Sequence, residues 1–82
     1  MRIVFDAAKD EANRTKHGVS LEAFPGLDEG WSVQPDDRRD YGERRFRALG
    51  LIGGDLHCVV FTFRSDTVRL ISLRRAHRKE LG

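Results

Sequence analysis

Two runs, His57 to Phe63 and Val68 to Leu73, are dense in β-branched and aromatic residues, with Ser65-Asp66 as the turn signal between them. Such residues fit a pleated, half-buried surface, so the stretch reads as a β-hairpin. A two-residue loop at Ser65-Asp66 dictates the register. Arg64 then faces Thr67, Thr62 faces Arg69, Val60 faces Ile71 and Cys58 faces Leu73. On the opposite face Phe63 meets Val68, Phe61 meets Leu70, Val59 meets Ser72 and His57 meets Arg74. Both faces are apolar in the middle, which predicts that both are covered, one by helices and the other by the curled sheet or a partner. Regular parity also sends Arg74 and Arg75 to opposite faces. It holds Arg64 roughly 20–25 Å from Arg74, at ~3.3 Å per residue.

The rest of the chain surrounds this hairpin. Ile3-Val4-Phe5 reads as a first strand, and Asp6 as the N-cap of a helix over Ala7 to Lys16. The apolar face of that helix is thin, with only Ala8 and Ala12. Gly18 supplies its stop, so Lys16 and His17 lie on the last turn. Ser20 caps a second helix, with Val19 and Phe24 as a hydrophobic staple. Pro25-Gly26 cuts that helix short or kinks it. A short strand is expected at Trp31-Ser32-Val33, a loop from Asp36 to Tyr41 and a strand from Arg45 to Leu51. Gly53-Gly54-Asp55 is a hairpin turn, and Arg75 to Leu81 a short basic helix or tail. The order predicts an α+β fold, two N-terminal helices packed on a mostly antiparallel sheet, as a single domain over residues 1–82. Eighty-two residues build only a small core, and such chains lean on a partner or on self-association.

The charge pattern bounds function. The net charge is +2, and lysine occurs only at Lys9, Lys16 and Lys79, so arginine dominates the fifteen basic residues. Guanidinium groups suit bidentate phosphate contact, although a solvated, ion-paired surface has the same composition. The five arginines from Asp36 to Arg47 stand among four acids and read as largely self-neutralised. From Arg64 to Lys79, by contrast, Arg64, Arg69, Arg74, Arg75, Arg78 and Lys79 face one acid, Asp66. That asymmetry suggests a phosphate track. Cys58 is the one cysteine and sits in an apolar run, which favours a buried thiol. The chain offers no membrane-spanning stretch, and charges at Arg2 and Asp6 argue against a signal peptide, so a reducing, cytoplasmic setting is expected. His57 and His77 lack ligand-like spacing with Cys58 or the carboxylates, so neither a metal nor a cofactor is expected.

Three blocks carry a family resemblance. Asn13-Arg14-Thr15-Lys16-His17-Gly18-Val19-Ser20 resembles the N-x-x-K-H-G-V-S signature of the BrnT family of ribonuclease toxins. Gly42-Glu43-Arg44-Arg45 resembles its G-E-x-R. Thr62-Phe63-Arg64, Val68 to Ser72 and Arg74-Arg75-Ala76 resemble its T-x-R…R-I-I-S-A-R-x-A. Their order spans nearly the whole chain. The resemblance implies a RelE-like fold and translation inhibition by cleavage of RNA, messenger RNA in particular. It also implies a cognate BrnA-like antitoxin with a ribbon-helix-helix DNA-binding part, through which the complex reaches operator DNA. The sequence departs from the pattern in four places. Asp6-Ala7 stands where a tryptophan is usual, Leu73 replaces an alanine, and Pro25-Gly26 interrupts a helix. Gly82 closes the chain short of a C-terminal helix that carries a tyrosine.

Metal-free RNA cleavage needs a base for the ribose 2′-hydroxyl, cations for the phosphorane-like transition state and an acid for the leaving oxygen. Histidine exchanges protons near neutral pH, and His17 with Lys16 beside it is the best-placed candidate. A Lys-His pair before a glycine stop also suits a helix C-terminus for structural reasons alone. Arg64, Arg74 and Arg75 are the phosphate-clamp candidates. Arg69, Arg78 and Lys79 extend the track for RNA binding, and Glu43 and Arg45, two apart on a strand, support the site or stabilise the sheet. Two other functions fit the same residues: a non-catalytic nucleic-acid-binding module, and a degenerate protein that only holds the antitoxin. An apolar surface left by so short a chain suits antitoxin capture or a homodimer, and periodicity does not choose between them.

Overall fold

A computed structural model describes residues 2–81; Met1 and Gly82 lie outside the described residues. Five strands form one sheet: β1 Arg2–Val4, β2 Ser32–Pro35, β3 Phe46–Ile52, β4 Asp55–Arg64 and β5 Thr67–Arg75. Their spatial order is β1-β5-β4-β3-β2, antiparallel throughout except that β1 runs parallel to β5. The tight turns are where turn chemistry puts them. Gly53 and Gly54 both take positive φ (58° and 84°), which suits the twist of a two-residue hairpin. Ser65 takes φ 55° at the other turn, and Arg64 pairs with Thr67 as expected.

Helix α1, Ala7–His17, is capped at both ends as the sequence suggests. The Asp6 side chain accepts from the Lys9 N–H at 2.7 Å, and Gly18 (φ 72°) returns its N–H to the Arg14 carbonyl. The expected second helix is not there. Ser20 does cap a helical turn, but it is a 3₁₀ turn of three residues, Leu21–Ala23. Among the described residues the fold is therefore one α-helix and a five-stranded sheet, not two helices packed on a sheet. The α+β mixture is right and the helix count is wrong. The physical reason lies in Pro25 and Gly26, one without a backbone donor and one at φ 110°, which leave no room for a second hydrogen-bonded turn. Leu21 and Phe24 serve the core from this irregular segment instead.

The hairpin register is regular only over its outer half. Arg64↔Thr67, Phe63↔Val68, Thr62↔Arg69 and Phe61↔Leu70 match simple parity; a β-bulge at Val60/Phe61 then shifts the ladder by one. Val60 pairs with Ser72, Val59 with Leu73, Cys58 with Arg74 and His57 with Arg75, so Ile71 is the extra residue. Without the bulge Leu73 would fall on the face of Cys58 and Arg74 on the face of Phe61. With it, Leu73 joins the core and Arg74 crosses to the other side.

The core lies on the face that carries Ala48, Val59, Phe61, Val68, Leu70 and Leu73. Leu21, Phe24 and Trp31, from the segment after α1, close over it. Trp31 lies so near Gly50 that a Cβ there would collide with the indole ring, which is why a glycine interrupts β3.

Helix α1 adds almost nothing apolar: its one buried residue is Asn13. The Asn13 side chain accepts the Leu73 N–H at 3.0 Å and donates to the Leu73 carbonyl and the Val19 carbonyl, each at 2.8 Å. β1 covers the outer edge of β5 only at residues 67–69. Asn13 therefore satisfies the next part of that edge in place of a strand. Asp10, one turn earlier, accepts from the Leu21 N–H and the Ser20 hydroxyl. Truncation of Asn13 to alanine strands two buried backbone groups at once, so Asn13→Ala is expected to lose on the order of 3 kcal/mol in urea unfolding.

Candidate functional site

The bulge creates the site's floor. Ile71 and Ser72 both oppose Val60, so two consecutive β5 residues stand on the face away from the core, and Arg74 joins them. α1 forms one wall and the loop after β2 the other. The result is an open cleft of about 360 Å³ lined by Lys9, Ala12, Asn13, Lys16, His17, Arg38, Val60, Ile71, Ser72 and Arg74. Its lining holds five basic side chains and no carboxylate.

Lys16 and His17, from the end of α1, and Arg74, from β5, meet at this cleft. Burial lowers the His17 pKa below its ordinary 6.5, and the charges of Lys16 and Arg74 push it the same way. The neutral ring, able to accept a proton, is thus favoured at neutral pH. Arg74 is not loose. Its Nη2 and Nη1 donate to the two oxygens of Glu80 at 2.6 and 3.1 Å, and the His77 N–H also donates to Glu80. These bonds, Arg74 first, pull the Glu80 carboxyl down to about 2. Glu80 sits on the 3₁₀ turn Arg78–Leu81, the observed form of the basic segment that closes the chain.

The other sequence candidates lie elsewhere. Arg64 is exposed at the far end of the hairpin, on the same face as Arg74 but six ladder positions away, roughly 20 Å. Arg75 pairs with His57 on the opposite face, and its exposed guanidinium is 4.0 Å from Asp55. Arg69 reaches the helix-capping Asp6 at 3.4 Å. Arg78 and Lys79 are exposed on the last turn. Glu43 and Arg45 pair with each other at 3.4 Å, in a bend ahead of β3 and not two apart on a strand, because β3 begins only at Phe46. The positive φ of Gly42 (73°) makes that bend.

Apart from the motif that holds Asn13, nothing in the sequence assigns a site role to Asn13, Asp36, Arg38 or Glu80. Arg38 forks onto the buried carboxylate of Asp36 (2.7 and 2.9 Å), which also accepts from Tyr41 at 3.4 Å. Those bonds hold the Asp36 carboxyl below its usual range. Arg39 and Arg45 lie over the Tyr41 ring, so the whole 36–45 loop is built around this group. An acid two residues before an arginine was visible in the sequence, but not that the acid would be buried. Cys58 lies beneath the cluster, its thiol pushed up by burial and partly restrained by Arg74. No group of three or more potential metal ligands occurs among the described residues. No helix among them is long and apolar enough to cross a membrane.

With this geometry in view, the comparison with known families is decisive. The family described as "Ribonuclease toxin, BrnT, of type II toxin-antitoxin system" matches residues 5–80. The chain belongs to this family. No curated protein matches it. The match runs from just after β1 almost to the end of the last turn, so it takes in every residue of the cleft and the Arg74–Glu80 pair. Membership makes a ribonuclease toxin with a protein antitoxin the context in which the cleft is to be understood.

Two measurements check the electrostatics. Lys16→Met removes a positive neighbour, so the His17 pKa should rise toward 6.5 in an NMR titration of its ring protons. Glu80 ionises in the folded protein at about 2 and near 4.5 when unfolded. The Arg74–Glu80 pair therefore stabilises fully above pH 4.5, and that contribution fades as pH falls toward 2. Glu80→Gln should flatten the loss of thermal stability across that window.

Proposed function

We propose that this single-domain chain is a metal-independent endoribonuclease toxin that cleaves RNA, messenger RNA in particular, and so inhibits translation. The observation that carries this reading is the cleft in which His17, Lys16 and Arg74 converge with no carboxylate in the lining. Such a lining attracts a phosphodiester and leaves the histidine as its proton acceptor.

In the reaction, neutral His17 takes the proton of the ribose 2′-hydroxyl, and the oxygen attacks the adjacent phosphorus. The bond from phosphorus to the 5′-oxygen breaks, and the Lys16 ammonium supplies the proton that the leaving oxygen needs. The products are a 2′,3′-cyclic phosphate and a 5′-hydroxyl. Arg74, held by Glu80, stabilises the charge on the non-bridging oxygens. Arg64, Arg69, Arg78 and Lys79 guide the flanking RNA, and Glu43 with Arg45 keeps the loop ahead of β3 in place. The position of Arg75 on the opposite face favours a role outside the reacting centre.

The protein partner is a BrnA-like antitoxin with a ribbon-helix-helix part, through which operator DNA is reached; the setting is the cytoplasm. One observation favours a second reading, a non-catalytic RNA-binding module: Glu80 already occupies both terminal nitrogens of Arg74. His17→Ala separates the two. Catalysis predicts a loss of cleavage of about 100-fold or more with near-normal RNA binding. Purified protein that leaves structured and unstructured RNA intact would exclude the enzyme.

A further inference from the structure

Of three arginines from the segments around the cleft, Arg38, Arg47 and Arg74, only two have a carboxylate. Arg38 is held by Asp36 and Arg74 by Glu80. Arg47, the third, is half-buried on β3. It pairs across the ladder with Val60, which in turn pairs with Ser72, so Arg47, Val60 and Ser72 form one row over three strands. Val60 and Ser72 line the cleft. None of the ion pairs among the described residues involves Arg47. Its Nε is buried without a hydrogen-bond partner.

The next position of β4 on the same face repeats the deficit. Thr62 is 3% exposed, and its hydroxyl oxygen also lacks a partner. Buried polar atoms are nearly always satisfied. Both atoms are shut off from solvent, so what they show is a guanidinium whose charge is left uncompensated inside the protein. A guanidinium donates and never accepts, so the group that suits the accessible part of Arg47 is an acceptor, an anion above all. The electrostatic reach of Arg74, Arg47 and Arg38 to the Cys58 thiol beneath them agrees with a single cationic cluster.

We propose that Arg47, on the row of Val60 and Ser72, forms a second phosphate subsite for the RNA strand that is bound at Lys16, His17 and Arg74. The assignment rests on the reading of the cleft as an RNA site. β5 and β3 are two strand spacings apart, roughly 10 Å. That separation is too wide for one phosphate to be shared between both sites and suits two nearby phosphates of one extended single strand. Between the two subsites the RNA therefore crosses the strands, from β5 over β4 to β3.

The test uses the full chain and a single-stranded oligonucleotide with 2′-O-methyl riboses, which cannot be cleaved by 2′-oxygen attack. Affinity is read by fluorescence anisotropy over a salt series. Arg47→Gln should weaken binding about tenfold at low salt and reduce the slope of log affinity against log salt by ~0.7, the share of one phosphate. Arg47→Lys should keep the slope and lose part of the affinity. Arg14→Gln, a charge change on the exposed side of α1, should match the wild type. With unmodified RNA, Arg47→Gln should raise KM and leave kcat within a few-fold. Should glutamine disturb folding, Arg47→Met keeps the aliphatic stem and carries the same expectation. Unchanged slope and affinity in a folded Arg47 variant would overturn the subsite. A reduced slope without cleavage of unmodified RNA by the wild type would sink the catalytic reading and still support the subsite. Absence of oligonucleotide binding by the wild type would overturn both.

Discussion

The amide of Asn13 does for β5 what a neighbouring strand would otherwise do. It accepts one backbone N–H of Leu73 and donates to the carbonyl of the same residue, sixty positions away in the chain. Its second donor bond, to Val19, ties down the chain as it leaves the helix. α1 has no apolar face with which to pack, so its position depends on this polar clasp and on Asp10. The consequence reaches the cleft, because Lys16 and His17 are one turn beyond Asn13 on the same helix. Their placement over Ser72 and Arg74 follows from how the helix is fastened to Leu73, directly between those two residues.

The β-bulge acts on the same place from the other side. A single extra residue, Ile71, reverses the parity of everything after it on β5. Leu73 turns into the core while its backbone meets Asn13; Ser72 and Arg74 turn toward α1. Bulges often re-aim a side chain at the edge of a site, and here the re-aimed side chain is the arginine that meets His17. The electrostatic arrangement then rests on carboxylates kept behind the cleft. Asp36 and Glu80 fix Arg38 and Arg74 without entering the lining, so the cleft retains its positive character. Arg47, on the same face, takes part in no ion pair among the described residues.

How much of this could be read in the chain varies by element. Both hairpin turns, the outer half of the β4–β5 register, the caps of α1 and the family were legible, because each depends on residues close together or on a fixed order of motifs. The second helix is where local signals mislead. A cap and a staple signal a helix start, but a three-residue turn satisfies both when proline and glycine follow. The Glu43–Arg45 pair reads as part of a strand, yet β3 begins one residue after Arg45. Among the candidate site residues, Lys16, His17 and Arg74 come together, while Arg64 and Arg75 do not join them. The arginines of the 36–47 segment had looked self-neutralised. Counting charges misses which acid meets which base, and therefore misses Arg47.

By itself the sequence determined the local elements and the chemical inventory: β-branched runs that must pair, a helix bounded by Asp6 and Gly18, an excess of arginine and three motif blocks in family order. Those are properties of short windows, where propensity and capping act within a few residues. Only the tertiary structure decided which face each arginine occupies, which carboxylate holds it, and that Asn13 stands in for a strand. The reason is physical. A one-residue bulge changes the parity of half a strand without altering its composition, and a buried ion pair or amide clasp joins residues whose separation in sequence carries no signal.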